Sequence, residues 1–277
     1  LGGATASVLG RIFRLETEDR RVLTMAGMSA VFAGLFGTPL TAALFCMEFE
    51  SVGSIFFPAL LPCYLSAFTA SKVSAAFGVH AEGLLIETVA SVTLGNVWKY
   101  ALLAVLIAGL GIVMCTTFHK AEHFAAHKAK NPWLRIVIGG AVIAVMTALV
   151  GDQRYNGAGM DMALKAVGGS ADWYSFLLKM LFTAVTLAAG FKGGEIVPTF
   201  CIGATFGCLF GTLVGLSPSL CAAVGMVAVF CGVTNCPLAS VILCIELFGF
   251  HGTGYYALCC GISYMLSGYY GLYSEQK

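Results

Sequence analysis

Charged side chains are scarce in this sequence of 277 residues. Only 10% of them are Asp, Glu, Lys or Arg and 58% are hydrophobic, whereas an average soluble domain carries about 25% charged residues. Hydrophobic stretches fill nearly the whole chain, and the core of a water-soluble monomer cannot bury so many. Lipid must therefore be part of the solvent, and we predict a polytopic, all-α integral membrane protein.

Basic blocks and metal-binding cysteine pairs are also missing. The 15 Lys and Arg residues against 14 Asp and Glu give a net charge of +1 without a long basic run, which excludes nucleic acid as a partner. The 11 cysteines include no CxxC pair, so neither a zinc site nor a redox site is indicated. We interpret them as small apolar packing residues and predict no metal and no cofactor.

Several of the hydrophobic segments are too short to cross a bilayer, whose core requires about 20 helical residues. Four short segments are separated from each other at Thr38-Pro39 and at Cys236-Pro237, which predicts half-helices or strongly tilted helices. These four are 22–36, 39–50, 219–233 and 237–249. The full set of apolar segments is 22–36, 39–50, 54–78, 97–118, 133–151, 173–191, 196–214, 219–233, 237–249 and 254–271.

Eight of the 15 Lys and Arg residues lie in two short regions of the chain. Because cytoplasmic loops of membrane proteins are enriched in Lys and Arg, we predict that both regions face the cytoplasm. The residues are Arg11, Arg14, Arg20, Arg21, Lys120, Lys128, Lys130 and Arg135.

An internal repeat is the strongest pattern in the sequence. Residues 26–48 align without gaps on residues 224–246, with ten identities in 23 positions that include Pro39/Pro237 and Glu48/Glu246. Similar composition of two small-residue helices is the alternative, but it does not explain Gly, Pro and Glu at matched spacing. A gene duplication does, and paired Pro-interrupted segments are typical of transporters whose broken helices bind an ion near the membrane midplane.

A glycine-rich turn precedes the second copy of the repeat. It enters a helix through Pro198, a residue favoured in the first helical turn. The free N–H groups at such a helix start favour an anion, so we predict an anion site formed by Gly194, Glu195, Ile196 and Val197. Residues 1–10 resemble residues 202–211 in glycine spacing, and we expect the matching loop just upstream of Leu1.

These motifs resemble the CLC family of chloride channels and proton-coupled anion antiporters. The resemblance covers Leu1–Lys277 and rests on the G-x-x-x-P turn at Gly194–Pro198, on the paired repeat, and on the segment Leu272-Tyr273-Ser274. It implies an inverted duplication in each subunit of a homodimer, with one pore per subunit, and a bacterial inner-membrane location. Tyr273 would then be an anion ligand, and its alternative role is an interfacial aromatic anchor.

The residues that form these motifs are most similar to those of the fluoride/proton antiporter branch of the family. Phe191-Lys-Gly-Gly-Glu195, Phe36-Gly37-Thr38-Pro39 and Gly271-Leu272-Tyr273 carry this similarity. It implies fluoride or chloride as the substrate anion, exchanged for protons. Val197 is a departure from this branch, which has a hydroxyl residue at that position. A chloride channel or chloride/proton exchanger is the alternative.

Two carboxylates are candidates for proton coupling. Glu195 lies at the helix start, where it would compete with an anion until protonated. Its alternative role is a helix cap paired with Lys192. Glu48 is the weaker candidate because Phe49 stands where many exchangers have the inner proton-transfer glutamate, one residue later. Glu48 and Glu246 have a structural alternative as carboxylates at helix ends.

Other polar clusters indicate loops and helix ends. His119, His123 and His127 lie beside lysines, which favours a solvated helix end over a metal site, and the segment from Asp152 to Asp172 is predicted as a polar loop. We expect one transmembrane domain over 1–277, with the first half to about residue 130 and the second from about 131, and N-terminal helices upstream. An intramembrane enzyme or a scaffold without transport is the alternative from another class, and the anion turn favours transport.

Overall fold

The computed structural model describes residues 1–79, 94–191, 193–268 and 270–273. Within these ranges the chain is built of α-helices joined by short loops, with one 3-10 turn at Phe57–Ala59 and no β-strand. The helices are α1 (Gly2–Ile12), α2 (Thr17–Phe36), α3 (Pro39–Glu48), α4 (Leu60–Ala76), α5 (Leu94–Lys128), α6 (Pro132–Val150), α7 (Met160–Val167), α8 (Ser175–Ala188), α9 (Ile196–Val214), α10 (Pro218–Thr234), α11 (Pro237–Phe248) and α12 (Thr253–Ser267).

Three helices in the described part of the chain are long and apolar enough to cross a membrane. They are Gly95–Lys128 within α5, and α6 and α9 over their full lengths. The surface of α6 is apolar and uncovered, and the side chain of Leu149 on it is 82% exposed. Such a surface is stable against lipid tails and costly in water. The predicted all-α membrane fold is confirmed.

The predicted interruptions of the repeat helices fall where the prolines are. Helix α2 ends at Phe36 and α3 begins at Pro39, and in the second copy α10 ends at Thr234 and α11 begins at Pro237. Proline favours the first helical turn because its missing N–H is not needed there. It also disfavours helical backbone in the residue before it, which stops the preceding helix.

The two interruptions have nearly the same backbone conformation. Gly37 and Asn235, at equivalent positions, adopt left-handed φ angles of 67° and 58°. The next residues, Thr38 and Cys236, have φ/ψ of −115°/77° and −118°/74°. Asn tolerates the left-handed region better than most residues do, so a glycine is dispensable at the second junction.

The helices form two compact units. The first contains α1–α4, α11 and Tyr273, and the second contains α5–α10 and α12. In the first unit α2 packs against α1, α3 and α4, and α3 packs against α11. In the second unit α9 packs along α10, and α7 and α8 cover α9. Helix α11 thus belongs to the same unit as the first copy of its repeat.

Each unit contains a close helix contact at equivalent glycines. A Cβ added at Gly2 on α1 would collide with the carbonyl oxygen of Gly27 on α2, and one at Gly203 on α9 would collide with that of Gly225 on α10. Small residues allow helix backbones to approach in membranes, where apolar burial gives no advantage over lipid. The matched contacts agree with the alignment of residues 1–10 on residues 202–211.

The polar segment between α6 and α8 differs from its prediction as a loop. It contains the short helix α7, and Asp161 lies in the first turn of that helix. Negative charge near a helix start is favourable, and α7 buries Met162, Ala163, Ala166 and Val167 on one face. Two hydrophobic turns were too short to stand out among charged neighbours.

Candidate functional site

The start of α9 is built as the sequence predicts. Gly193 and Gly194 precede the helix, Glu195 occupies the N-cap position, and the backbone N–H and the hydroxyl of Thr199 both donate to the Glu195 carbonyl oxygen, at 3.1 and 2.8 Å. The first N–H groups of a helix have no carbonyl acceptor within it. Pro198 has no N–H, so Ile196 and Val197 supply these donors.

The surroundings of this turn favour an anion. Helix α9 has 19 residues, and its aligned peptide dipoles place partial positive charge at its N-terminus. Pro198, Thr199 and Phe200 in its first turns are buried. Low local polarity strengthens the attraction between the N–H dipoles and a negative ion.

A cavity of about 260 Å³ lies beside the turn in the same unit. Gly193, Gly194 and Pro198 form one part of its wall, helix α8 forms another through Lys179, and residues 155–158 form a third. Tyr155 in that loop is buried, which raises the pKa of its phenol, so the group stays neutral.

The remaining predicted ligand, Tyr273, lies in the first unit. Its ring meets the ring of Phe49 edge-on, with centroids 4.8 Å apart and planes at 88°. Aromatic pairs favour this geometry, which aligns the positive edge of one ring with the negative face of the other. The structure therefore gives Phe49 a definite contact, the side chain of Tyr273.

Glu48 and Glu246 each bind the start of the helix that carries the other glutamate. The Glu48 carboxylate, 5% exposed, accepts hydrogen bonds from the backbone N–H groups of Leu238 (3.1 Å) and Ala239 (2.8 Å) at the start of α11. Glu246 accepts from the backbone N–H groups at the start of α3. These are Leu40 N–H at 3.0 Å and Thr41 N–H at 2.8 Å, joined by the Thr41 hydroxyl at 2.5 Å.

These two sets of hydrogen bonds form a reciprocal pair of helix caps. Glu48 is the last residue of α3, and Glu246 lies in the last turn of α11. Each satisfies free N–H donors at the start of the other's helix, where the dipole also favours a negative charge. A proton-coupling role for Glu48 stays a prediction, as does that of Glu195, and the alternative pairing partner Lys192 lies outside the described residues.

The histidine row does not form a metal site in the described structure. His119 Nε2 lies 3.2 Å from the Leu272 carbonyl oxygen, and the side chains of His123 and His127 are exposed. No group of three or more His, Cys, Asp or Glu side chains suited to a metal occurs among the described residues.

Two residues of interest were missed by sequence reasoning. Phe49 was noted only as a departure from a family pattern, and its contact with Tyr273 joins residues 224 positions apart. Lys179 carried a usable signal, because it is the only Asp, Glu, Lys, Arg or His in the apolar segment 173–191 and such residues are usually functional in membranes.

Comparison with known protein families agrees with these features. Residues 1–268 match the family described as voltage gated chloride channel. The chain belongs to this family. The resemblance to CLC proteins predicted from the turn, the repeat and the Tyr273 segment is confirmed.

Similar CLC-family proteins include both fluoride and chloride representatives. The chain is 38% identical to a chloride/fluoride channel protein of Pseudomonas syringae pv. tomato, covering all of this chain and 63% of that protein. It is 21% identical to the H(+)/Cl(−) exchange transporter ClcA of Yersinia pestis, covering 89% of this chain and 55% of that protein. The chain thus spans less than two thirds of these relatives.

Solved structures support the CLC fold. A CLC-type fluoride/proton antiporter superimposes with a TM-score of 0.95 at 32% identity, covering all of this chain and 70% of that one. A slow cyanobacterial Cl−/H+ antiporter superimposes with a TM-score of 0.80 at 18% identity, over 96% of this chain and 65% of that one, and this second match concerns the fold alone.

Proposed function

We propose that this chain forms the larger part of a CLC-type anion transporter that exchanges fluoride for protons. The N-terminal turn of α9 is the observation that carries the proposal. It presents the N–H groups of Ile196 and Val197 and the carboxylate of Glu195 at the positive end of a helix in an apolar unit. Similarity to the fluoride/proton antiporter and to the Pseudomonas chloride/fluoride channel protein supports fluoride.

Chloride transport is the second candidate. Val197 offers no hydroxyl to a small, strongly hydrated anion, and the ClcA exchangers are more distant relatives of this chain. The anion turn itself would attract either halide, because the N–H groups and the dipole at a helix start favour any small anion. Selectivity must therefore be measured.

We expect Glu195 to carry the proton-coupled step. A carboxylate at the helix start competes with the anion for the same positive potential, and protonation removes the competition. Tyr273 would contribute one phenolic O–H to the anion, and its contact with Phe49 limits where that hydroxyl can lie.

Liposomes that contain the full-length protein test this proposal. Fluoride and chloride electrodes report anion efflux, and a pH electrode reports proton uptake. We expect fluoride efflux to exceed chloride efflux, and Glu195→Gln to reduce proton uptake per fluoride at least tenfold. Glu122→Gln, at an exposed position of α5, is the matched control and should leave both unchanged.

Two results would contradict the proposal at different levels. Chloride efflux equal to or greater than fluoride efflux would reject the fluoride assignment and favour the chloride alternative. Absence of efflux of either anion from the wild-type protein would reject transport.

The assembly and location follow from the same proposal. We expect a homodimer with one pore per subunit in a bacterial inner membrane, as the CLC resemblance implies and the bacterial relatives support. Light scattering of the detergent-solubilised protein should give twice the monomer mass, and a monomer would contradict the dimer.

A further inference from the structure

The backbone of Leu272 is fixed at both of its polar groups. Its N–H donates to the carbonyl oxygen of Val233 in the last turn of α10, at 2.9 Å. That carbonyl is free to accept, because its partner in a continuous helix would be the N–H of residue 237, which is a proline. The carbonyl oxygen of Leu272 lies 3.2 Å from Nε2 of His119 on α5. A residue outside the helices is thus attached to two of them.

The contact between His119 and Leu272 assigns the hydrogen on the histidine ring. A carbonyl oxygen can only accept, so Nε2 carries the hydrogen and donates it. The His119 side chain is at an exposed position, where water competes for its donor. The net contribution of such a bond to stability is modest, and its main consequence is geometric.

The residue after Leu272 is Tyr273, the candidate anion ligand. The carbonyl group of Leu272 and the nitrogen and Cα of Tyr273 belong to one rigid peptide plane. A donor that holds this carbonyl oxygen therefore also sets the direction in which the chain enters Tyr273. The ring of Tyr273 meets Phe49 with centroids 4.8 Å apart. The tyrosine is thus held at its ring and at the peptide group that precedes it.

Helix α5 carries His119 on a face that also passes the anion turn. Cys115 precedes His119 by one turn, so the two side chains point the same way. The Cys115 thiol is close enough to the carboxylate of Glu195 for the two groups to interact electrostatically, and α5 packs against α9. One helix therefore sets the position of Leu272 relative to the anion turn, within one compact unit.

We propose that His119 is a positioning residue for halide transport, which holds the Leu272 peptide group and thereby orients the hydroxyl of Tyr273 toward the anion. This inference rests on the proposed transport function. His119 acts through Tyr273 and does not itself contact the anion. Without the hydrogen bond the peptide plane can rotate, and a hydroxyl with several orientations binds the anion more weakly because it must be ordered first.

A purely structural role of His119 at the end of α5 is the competing explanation. Two polar substitutions separate the alternatives by the reach of their donors. His119→Gln places an amide N–H close to where Nε2 lies, whereas His119→Asn places it near the position of Nδ1, short of the Leu272 carbonyl oxygen. The positioning role predicts that only the glutamine variant behaves as wild type.

The test measures how the rate of fluoride transport depends on fluoride concentration for the full-length protein in liposomes. For His119→Ala we expect the half-maximal concentration to rise about threefold, as for one lost hydrogen bond, with a maximal rate within about twofold of wild type. His119→Asn should match it, and His119→Gln should match wild type. His123→Ala is the control, because His123 is exposed one turn later on the same helix.

A double-mutant cycle shows whether His119 acts through Tyr273. Tyr273→Phe removes the hydroxyl and keeps the ring that contacts Phe49, and we expect it to raise the half-maximal concentration by itself. In this background His119→Ala should cause no further rise, because the group that it orients is gone. Independent effects would instead multiply.

Three results would overturn the positioning role. They are an unchanged half-maximal concentration in His119→Ala, a threefold rise that persists in the Tyr273→Phe background, and a Tyr273→Phe variant with wild-type values. Should His119→Ala fail to fold, equal values for His119→Gln and His119→Asn would overturn it. Failure of the wild-type protein to transport any halide would instead reject the proposed function, which the other results leave standing because they require an active wild-type protein.

Discussion

A single buried carboxylate, Glu48, shows how this protein accommodates a charge in an apolar environment. Its two oxygens each accept one backbone N–H from the start of α11, at 3.1 and 2.8 Å. Hydrogen bonds to a charged acceptor are roughly twice as strong as those between neutral groups. The residue that sequence reasoning treated as a weak proton-coupling candidate therefore stabilises a helix start, whatever further role it has.

Replacing the Glu48 carboxylate should destabilise the protein measurably. Glu48→Gln retains one acceptor oxygen for two donors and removes the charge that interacts with the α11 dipole. We expect a loss of about 1–3 kcal/mol in the free energy of unfolding, the range for a buried group left unsatisfied, measured as a lowered Tm of the detergent-solubilised protein. Glu122→Gln on the surface of α5 should leave Tm within error, and an equal loss there would contradict the assignment to the cap.

The contact of Phe49 with Tyr273 is a second feature that depends on individual side chains. An edge-to-face aromatic pair contributes about 0.5–1.5 kcal/mol beyond the apolar area it buries, which is enough to favour one orientation of the Tyr273 side chain. Where many exchangers have an inner glutamate, this chain has a residue that contacts the candidate anion ligand. The departure from the exchanger pattern thus has a structural consequence.

Helix α9 combines two requirements along its length. Its first turn must leave N–H groups open to an anion, and its body must approach α10 closely. Gly203, Gly207 and Gly211 recur at every fourth position and face α10, where an added Cβ would meet the backbone of Gly225, of Cys221 and of Pro218 respectively. Close packing of this kind is one of the interactions that drive helix association in lipid.

A methyl group at the α9–α10 contact should be poorly tolerated. In Gly207→Ala the new Cβ would lie 2.8 Å from the carbonyl carbon of Cys221 and 3.1 Å from the Cα of Ala222. Neither atom can move without shifting α10, so we expect a loss of about 1–3 kcal/mol, typical of overpacking.

Gly261→Ala provides the matched control for this prediction. Gly261 lies on α12, and nothing is found within 4 Å of a Cβ added there. In open space alanine favours a helix over glycine by about 1 kcal/mol, so Tm should be unchanged or raised. A lowered Tm in Gly261→Ala equal to that of Gly207→Ala would show that the α9–α10 contact is not the cause.

For the whole molecule, the sequence and the helix bounds together predict an orientation in the membrane. The basic residues before and after Arg14 and those near Lys128 predict cytoplasmic loops, and α6 then carries the chain to the other side. The cavity lined by residues 155–158 would then face that side.

Cysteine labelling tests the orientation directly. The 11 native cysteines are free thiols and all are buried, so a membrane-impermeant maleimide should label the wild-type protein weakly. Exposed Lys130 and Gln153 flank α6. In intact cells we expect Gln153→Cys to be labelled and Lys130→Cys to be labelled only after permeabilisation, and the reverse pattern would reject the orientation.

The sequence alone determined the features that depend on neighbouring residues and on solvent. Scarce charge required lipid, prolines placed the breaks before α3 and α11, and the Gly194–Pro198 turn indicated an anion site and the CLC family. Only the tertiary structure decided that Glu48 caps α11 and Glu246 caps α3. It also decided that Phe49 contacts Tyr273 and that Lys179 lies beside the turn of α9. Those pairings join distant residues and depend on packing geometry, which local patterns do not encode.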